Sequence, residues 1–275
     1  MAITTVKIPK KFKNICDLIC DGKEEGLQKL SEYKEFEHQK IAVLAELEYF
    51  NGNFNKALDY DMQICPFFGE WNYSNIREEH VAAMTFAAKE VKRENEVIDF
   101  FVEQISFIES DFDVPEHIKN SYKKYYEIQI EILKTGTHLN YEIYVENENP
   151  SSIDELITEL KNEKKKLDIK SSEGQYQLLS KCCSKGNLKD MLLIYEQICD
   201  DNLSTWHMKA LIGYKHLGND DKVLEVVLRM AKQRLWRVAS HTQVRPMEFF
   251  THSALWEVLK DKSVLEKIVQ ASSRN

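Results

Sequence analysis

The sequence predicts an all-α fold of paired helices, and three observations carry that prediction. Glycine and proline are scarce, nine Gly and five Pro in 275 residues, well below ordinary usage. Apolar residues recur with helical spacing through most of the chain. Short helical stretches are parted by a Gly followed by a polar or charged residue. A β-sandwich or barrel needs a turn signal roughly every ten residues, and a dinucleotide-binding fold needs a Gly-rich phosphate turn, so the scarcity excludes both. With 43% hydrophobic and 30% charged residues, the chain can bury one extended or two compact cores.

Taken in order, the N-terminal twenty residues are basic at the start but hold no continuous apolar run. No stretch approaches the roughly 20 apolar residues of a membrane helix, so the reading is neither spanning nor secreted but cytoplasmic. Cys16 and Cys20 lie on an apolar stripe, and with Cys65, Cys182, Cys183 and Cys199 they are expected as reduced, buried thiols. Asp21-Gly22 turns the chain. Residues 36–66 form the clearest hairpin: Ile41, Leu44, Ala45 and Leu47 make one stripe, Asn51-Gly52-Asn53 turns, Phe54, Ala57, Leu58 and Ile64 begin a second, and Pro66 stops it. Residues 76–108 read as another helical pair, Val81, Met84, Phe86 and Val91 and then Val97, Phe101, Ile105 and Ile108, with no glycine between them. Asp111-Phe112-Asp113 lacks the glycine and closing acid of a calcium loop and is an inter-helix turn. Ser121 to Leu133 is helical. Leu139 to Glu146 alternates in the manner of a strand, which is read as a loop or irregular helix, or else as a strand that could pair with a partner's peptide. Ser151-Ser152-Ile153-Asp154-Glu155 has the look of a helix N-cap, and Lys161 to Lys170 that of a solvated helix end. Hairpins recur about Gly186 and Gly218, 32 residues apart. Phe249 and Phe250 through Leu255, Trp256, Leu259, Leu265 and Ile268 form a closing apolar segment expected to cap the C-terminal helices.

In the best hairpin an apolar residue is followed by a small one (Leu44, Ala45), then come the turn glycine (Gly52), an aromatic two residues later (Phe54), and a small residue five after the glycine (Ala57). This pattern resembles the tetratricopeptide repeat, two antiparallel helices with a period of about 34 residues. The Gly218 copy departs from it with Asp220 and Val223, and the Gly186 copy with Leu188 and Met191. The resemblance implies a right-handed α-solenoid of roughly six to eight hairpins. Three segments are expected: N-terminal repeats over 1–135, an irregular or charged connection over 136–171, and C-terminal repeats with capping helices over 172–275.

The net charge of −8 is uneven: residues 1–150 carry 17 Lys and Arg against 28 Asp and Glu, and residues 151–275 carry 20 against 17. An acidic half argues against nucleic acid as a partner, because phosphate binding draws on clustered cations. There is no Walker A loop, H-E-x-x-H, EF-hand loop, G-x-S-x-G elbow or kinase set, and the eight His, His207 and His216 among them, are dispersed. No cofactor or metal site is expected.

The expected function is therefore non-enzymatic, a surface that binds a protein or peptide. The resemblance places its groove on first helices, at Gln39, Ala42, Glu46 and Tyr49 in the best copy and at Met208, Ile212 and Lys215 in the Gly218 copy. A second candidate is residues 226–247, which hold Arg229, Lys232, Arg234, Arg237 and Arg245 with Trp236 and His241 and no acid; Arg and Trp are frequent interface anchors. Two other readings stay open: an immunity-type regulator whose acidic half covers a basic toxin or enzyme, and an enzyme built from dispersed carboxylates and His.

Overall fold

A computed structural model describes residues 8–64, 74–110, 115–136, 151–166, 168–185, 187–198, 204–233 and 243–273. The protein is all-α, with no strand among the described residues. The helices are α1 (Lys10–Cys20), α2 (Glu24–Glu32), α3 (Glu37–Phe50), α4 (Phe54–Asp61), α5 (Ser74–Val91), α6 (Glu94–Ser110), α7 (Glu116–Thr135), α8 (Ile153–Glu163), α9 (Ser172–Ser184), α10 (Leu188–Ile198), α11 (Ser204–His216) and α12 (Asp220–Gln233). Two 3₁₀ turns, Met247–Thr251 and Ser253–Leu255, then lead into α13 (Trp256–Leu259) and α14 (Lys262–Ser272). Among the described residues no helix is long and apolar enough to cross a membrane. The expected strand at 139–146 and the Asp111–Asp113 turn lie outside the described residues.

One backbone device recurs between paired helices. At Gly22, Gly52 and Gly218 φ is +71°, +73° and +68°, the left-handed region that glycine enters without a Cβ penalty. In each turn the amide three residues past the last helical residue closes a six-to-one bond: Lys23 to Leu18, Asn53 to Glu48 and Asn219 to Tyr214, all 2.9 Å. This is the Schellman motif, which satisfies carbonyls that the helix end leaves open. Asn187 to Cys182 closes the same ring at 2.9 Å. Asn187 and Asn219 then cap the following helix, their side-chain oxygens accepting from the amides of Asp190 and Lys222, each at 3.2 Å. At Gly218-Asn219 the pair thus ends one helix and starts the next.

The glycine-free hairpin of α5 and α6 uses the same bond, Arg93 to Ala88 at 2.9 Å, with Lys92 at φ +61° in the glycine position. A side chain in that region costs about 1 kcal/mol. Lys92 is exposed and has no hydrogen bond to lose by truncation. Lys92→Gly is expected to raise stability by about 0.5–1 kcal/mol, read as a higher urea midpoint at unchanged slope.

The contacts divide the chain into two units, Met1–Leu139 with Ala231–Asn275, and Asn140–Met230. The sequence-based segments were drawn along the chain, whereas the first unit joins its two ends. In that unit α1 and α2 meet closely at Gly26, where a Cβ would lie 2.8 Å from the Ile19 amide nitrogen. Phe12, Ile15, Cys16, Ile19, Cys20, Leu30 and Val43 form an apolar cluster that also takes in Val244. The closing segment packs on α3 and α5: Phe250 lies 5.5, 5.6 and 5.2 Å, ring to ring, from Tyr49, Phe50 and Phe86. The expectation that it caps the C-terminal helices is corrected. Its Phe250 ring packs on aromatic rings of both α3 and α5.

In the second unit α8 opens on a full capping box, Ser152 with Glu155. Gly174 lies in the first turn of α9, where a Cβ would clash with the Asp168 carbonyl oxygen. Gly213 of α11 lets the Leu188, Met191 and Leu192 side chains of α10 approach. The Tyr195 hydroxyl and His207 Nδ1 form a buried pair at 2.6 Å.

Candidate functional site

Residues 42, 46, 49 and 50 fall on one face of α3 by helical spacing, and all are buried. Glu46 is the anomaly on this face, a carboxylate only 1% exposed. What it meets comes from the far end of the sequence. Its Oε2 accepts the amides of Val244 and Arg245, at 2.6 and 3.1 Å. Arg245 precedes Pro246, which disfavours helix there, and Pro246 (φ −76°, ψ 70°) carries a tight turn in which the Met247 amide donates to the Arg245 carbonyl at 2.8 Å. The result is a non-helical strap, Gln243 to Met247, lying on the helices.

The strap is held along its length. Cys20 of α1 donates its thiol toward the Gln243 and Val244 carbonyls, each at 3.7 Å. Val244 inserts its side chain into the α1–α3 apolar cluster. The Gln243 amide donates to Glu79 of α5. Three first helices of hairpins, α1, α3 and α5, therefore contribute to one strap.

Beneath it lies a charge clamp. His80 Nδ1 is 2.7 Å from Asp61 Oδ1, and its Nε2 faces Glu46 Oε1 at 3.6 Å. The Tyr49 hydroxyl donates to Asp61 Oδ2 at 2.7 Å. Burial pulls the His80 imidazole down, but Asp61 and Glu46 outweigh it and hold the proton on up to about 10. Burial pushes the Glu46 carboxyl up against the opposing pull of His80 and the strap amides. A histidine already protonated between two carboxylates is no general base near neutral pH. The geometry is that of a buried cation holding two anions, with α3, α4 and α5 as its three walls.

Two further carboxyls border the strap. Burial pushes Glu79 up to about 7, with His80 and Gln243 opposing. Burial, reinforced by the charge of Glu79, pushes Glu248 well above the carboxylate range, and its buried Oε2 has no hydrogen-bond partner. Among the described residues no group of three or more His, Cys, Asp or Glu side chains is arranged to hold a metal ion.

The sequence-nominated residues fall as follows. Gln39, Glu46 and Tyr49 are buried, at 5%, 1% and 0% exposure, and the inner face expected to take a partner carries the chain's own residues for Glu46 and Tyr49. Ile212 and Lys215 are partly exposed, Lys215 pairing with Asp220 at 2.9 Å; the side chain of Met208 lies outside the described set. Arg229 pairs with Glu225 at 3.1 Å and stands over the Tyr195 ring. Lys232 is exposed. Arg234, Trp236 and Arg237 lie outside the described residues. Arg245 is partly buried, its Nη1 donating to the Val244 carbonyl at 2.8 Å.

Asp61, His80, Glu79, Gln243 and Glu248 were not nominated. Asp61 does carry a signal, falling four residues after Ala57 and three after Leu58 on the buried face of α4. His80 likewise stands four residues before Met84, on the face that buries Ala87 and Ala88. Comparison with family models, with curated proteins and with solved structures finds no match to this chain.

Proposed function

We propose that this protein is a non-enzymatic binding scaffold whose first-helix face of α1, α3 and α5 takes a short peptide segment, and that the strap occupies this face in cis. The observation that supports this reading is how the strap is held. Main-chain amides go to Glu46, main-chain carbonyls to Cys20, and one apolar side chain enters the α1–α3 cluster. Main-chain pairing for affinity with a pocket for specificity is how peptide-recognition surfaces work. A partner segment would offer two consecutive free amides with an apolar residue at the first. It must outcompete a tethered rival whose effective concentration is on the order of millimolar, so binding to the resting protein is weak.

A second reading, an acidic cover for a basic protein, draws on α6. That helix carries Glu94, Glu96, Asp99, Glu103 and Glu109 and no Lys or Arg, with Val102 exposed at 50% among them. Attraction there would be screened by salt within about 10 Å.

Both readings meet in one titration with a fluorescent peptide of the strap's own sequence, residues 240–251. Against the full chain carrying Val244→Asp, which empties the apolar pocket in cis, the peptide is expected to bind at least tenfold more tightly than against the unmodified chain. Val102→Glu should leave that affinity unchanged. Equal, negligible binding to the unmodified and Val244→Asp chains, with helices α3–α5 still protected from hydrogen exchange, would sink the cis-occupied face. Affinity that vanishes with salt and tracks Val102 would favour the acidic surface.

A further inference from the structure

We propose that the strap is a proton-controlled latch: it closes over α3 and α5 with Glu79 and Glu248 protonated, and ionisation of these two carboxyls releases it. The consequence for binding, that release bares the first-helix face, rests on the reading given above; the latch itself does not.

The argument starts from the hydrogen-bond inventory. Glu46 is supplied as an anion: its Oε2 accepts two strap amides, and its Oε1 faces the His80 imidazolium at 3.6 Å, an ion pair rather than a hydrogen bond. Asp61 is supplied as well, by the Tyr49 hydroxyl and the other side of the same imidazolium. That cation is thereby spent on two anions. Glu79 then has only the Gln243 amide, and Glu248 is left with a buried oxygen that no donor reaches. A carboxylate oxygen out of water with no donor is far costlier ionised than protonated.

Among the described residues no further cation faces Glu79 or Glu248. Glu79 feels Glu46 of α3 and Glu78 of its own helix, both of which raise it further, while His80 and Gln243 oppose them. From α7, Tyr125 stands near the Glu78 and Glu79 charges and is itself held protonated. From α1, Cys16 is kept as a thiol, burial and Glu46 acting together, and Cys20 faces Arg245. Arg245, the strap's own cation, turns its Nη1 to the Val244 carbonyl. Between the two 3₁₀ turns, burial lowers His252, which keeps it neutral.

Ionising Glu79 and Glu248 therefore adds two like charges beside an imidazolium that already serves two carboxylates. Gln243 lies in the strap and Glu248 in the 3₁₀ turn that continues it, whereas Glu46, Glu79 and His80 are on helices. Movement of the strap separates Glu248 from Glu79 and Glu46 and gives all three water. The sign follows: both groups are raised above their unfolded values, so their contribution to closure is complete in acid and is lost as pH rises through about 7 for Glu79.

Hydrogen exchange on the full chain, with no partner present, tests this. Exchange of the segment covering residues 243–250, corrected for the intrinsic pH dependence, is compared with that of α9 and α10 in the second unit between about pH 5.5 and about pH 8.5. The strap segment is expected to open at least tenfold more often at the upper end, with the reference helices unchanged. In the Glu79→Gln/Glu248→Gln chain the rise should be absent. A flat wild-type response, or an equal rise in the double variant, overturns the latch. Should the double variant lose protection throughout α3–α5, the single variants decide, each being expected to remove part of the rise and neither removing any if the proposal is wrong. Because the readout contains no peptide, failure of the peptide titration leaves the latch standing, and a flat exchange response leaves the titration standing.

Discussion

Phe250→Ala is expected to destabilise the first unit by about 4 kcal/mol, within the range for truncating a buried Phe. Phe250 is fully buried and meets three aromatic rings at 5.2 to 5.6 Å. Two of those rings, Tyr49 and Phe50, belong to α3, and the third, Phe86, belongs to α5. The same residue's carbonyl accepts the Trp256 indole N–H at 2.8 Å, and Trp256 in turn packs on Phe86 at 5.7 Å. Truncation removes the transfer energy of the ring and leaves a cavity whose other walls are the rigid faces of two helices, which cannot collapse into it. The effect should be confined by unit. Hydrogen exchange should show lost protection in α3, α5 and α13, while α9 and α10, which belong to the other unit, keep theirs. Equal loss in both units would mean that they unfold as one.

This dependence on Phe250 also marks where sequence reading stops. Helix existence and turn position were legible because each has a local cause. Gly22, Gly52 and Gly218 sit where the backbone needs a positive φ, and Ser152 with Glu155 spells a capping box three residues apart. Gly26 and Gly213, each inside a helix where a missing Cβ is otherwise a cost, mark close helix approach. Lys92 takes the same turn as the glycines, but that demand falls on the backbone, so a lysine there leaves no trace in the sequence. Glu46 and Tyr49 share a buried face of α3, as their spacing requires. Its occupant could not be found that way, since Val244 is 198 residues from Glu46 and periodicity describes one helix at a time. The charge clamp lies between these cases. Asp61, His80 and Glu46 each interrupt an apolar face, a readable sign of a buried polar group that must be paired, but which of them pair depends on packing.

The clamp sets the other large effect. His80→Gln is expected to cost about 3–5 kcal/mol at neutral pH, the range for removing one partner of a buried ion pair. The glutamine amide can still donate to Asp61, so the hydrogen bond at 2.7 Å is replaceable while the charge is not. Asp61 and Glu46, 3% and 1% exposed, would then face each other across a neutral group. A protonation test separates charge loss from poor packing. In the parent chain His80 is raised above its unfolded value to about 10. Its contribution is therefore complete below about pH 6.5 and is lost as pH rises toward and through about 10. In His80→Gln that decline should vanish, and stability should instead recover on the acid side, where Glu46, already raised by burial, can take a proton. Adding Asp61→Asn removes one of the two stranded charges, and the double variant should regain at least about 1 kcal/mol over His80→Gln alone. The test is a set of urea unfolding curves over pH for the three chains. If Asp61→Asn adds its full separate cost to that of His80→Gln, the pair is uncoupled and the clamp is packing alone; a positive coupling means that one imidazolium fixes α3, α4 and α5 in the register that the strap requires.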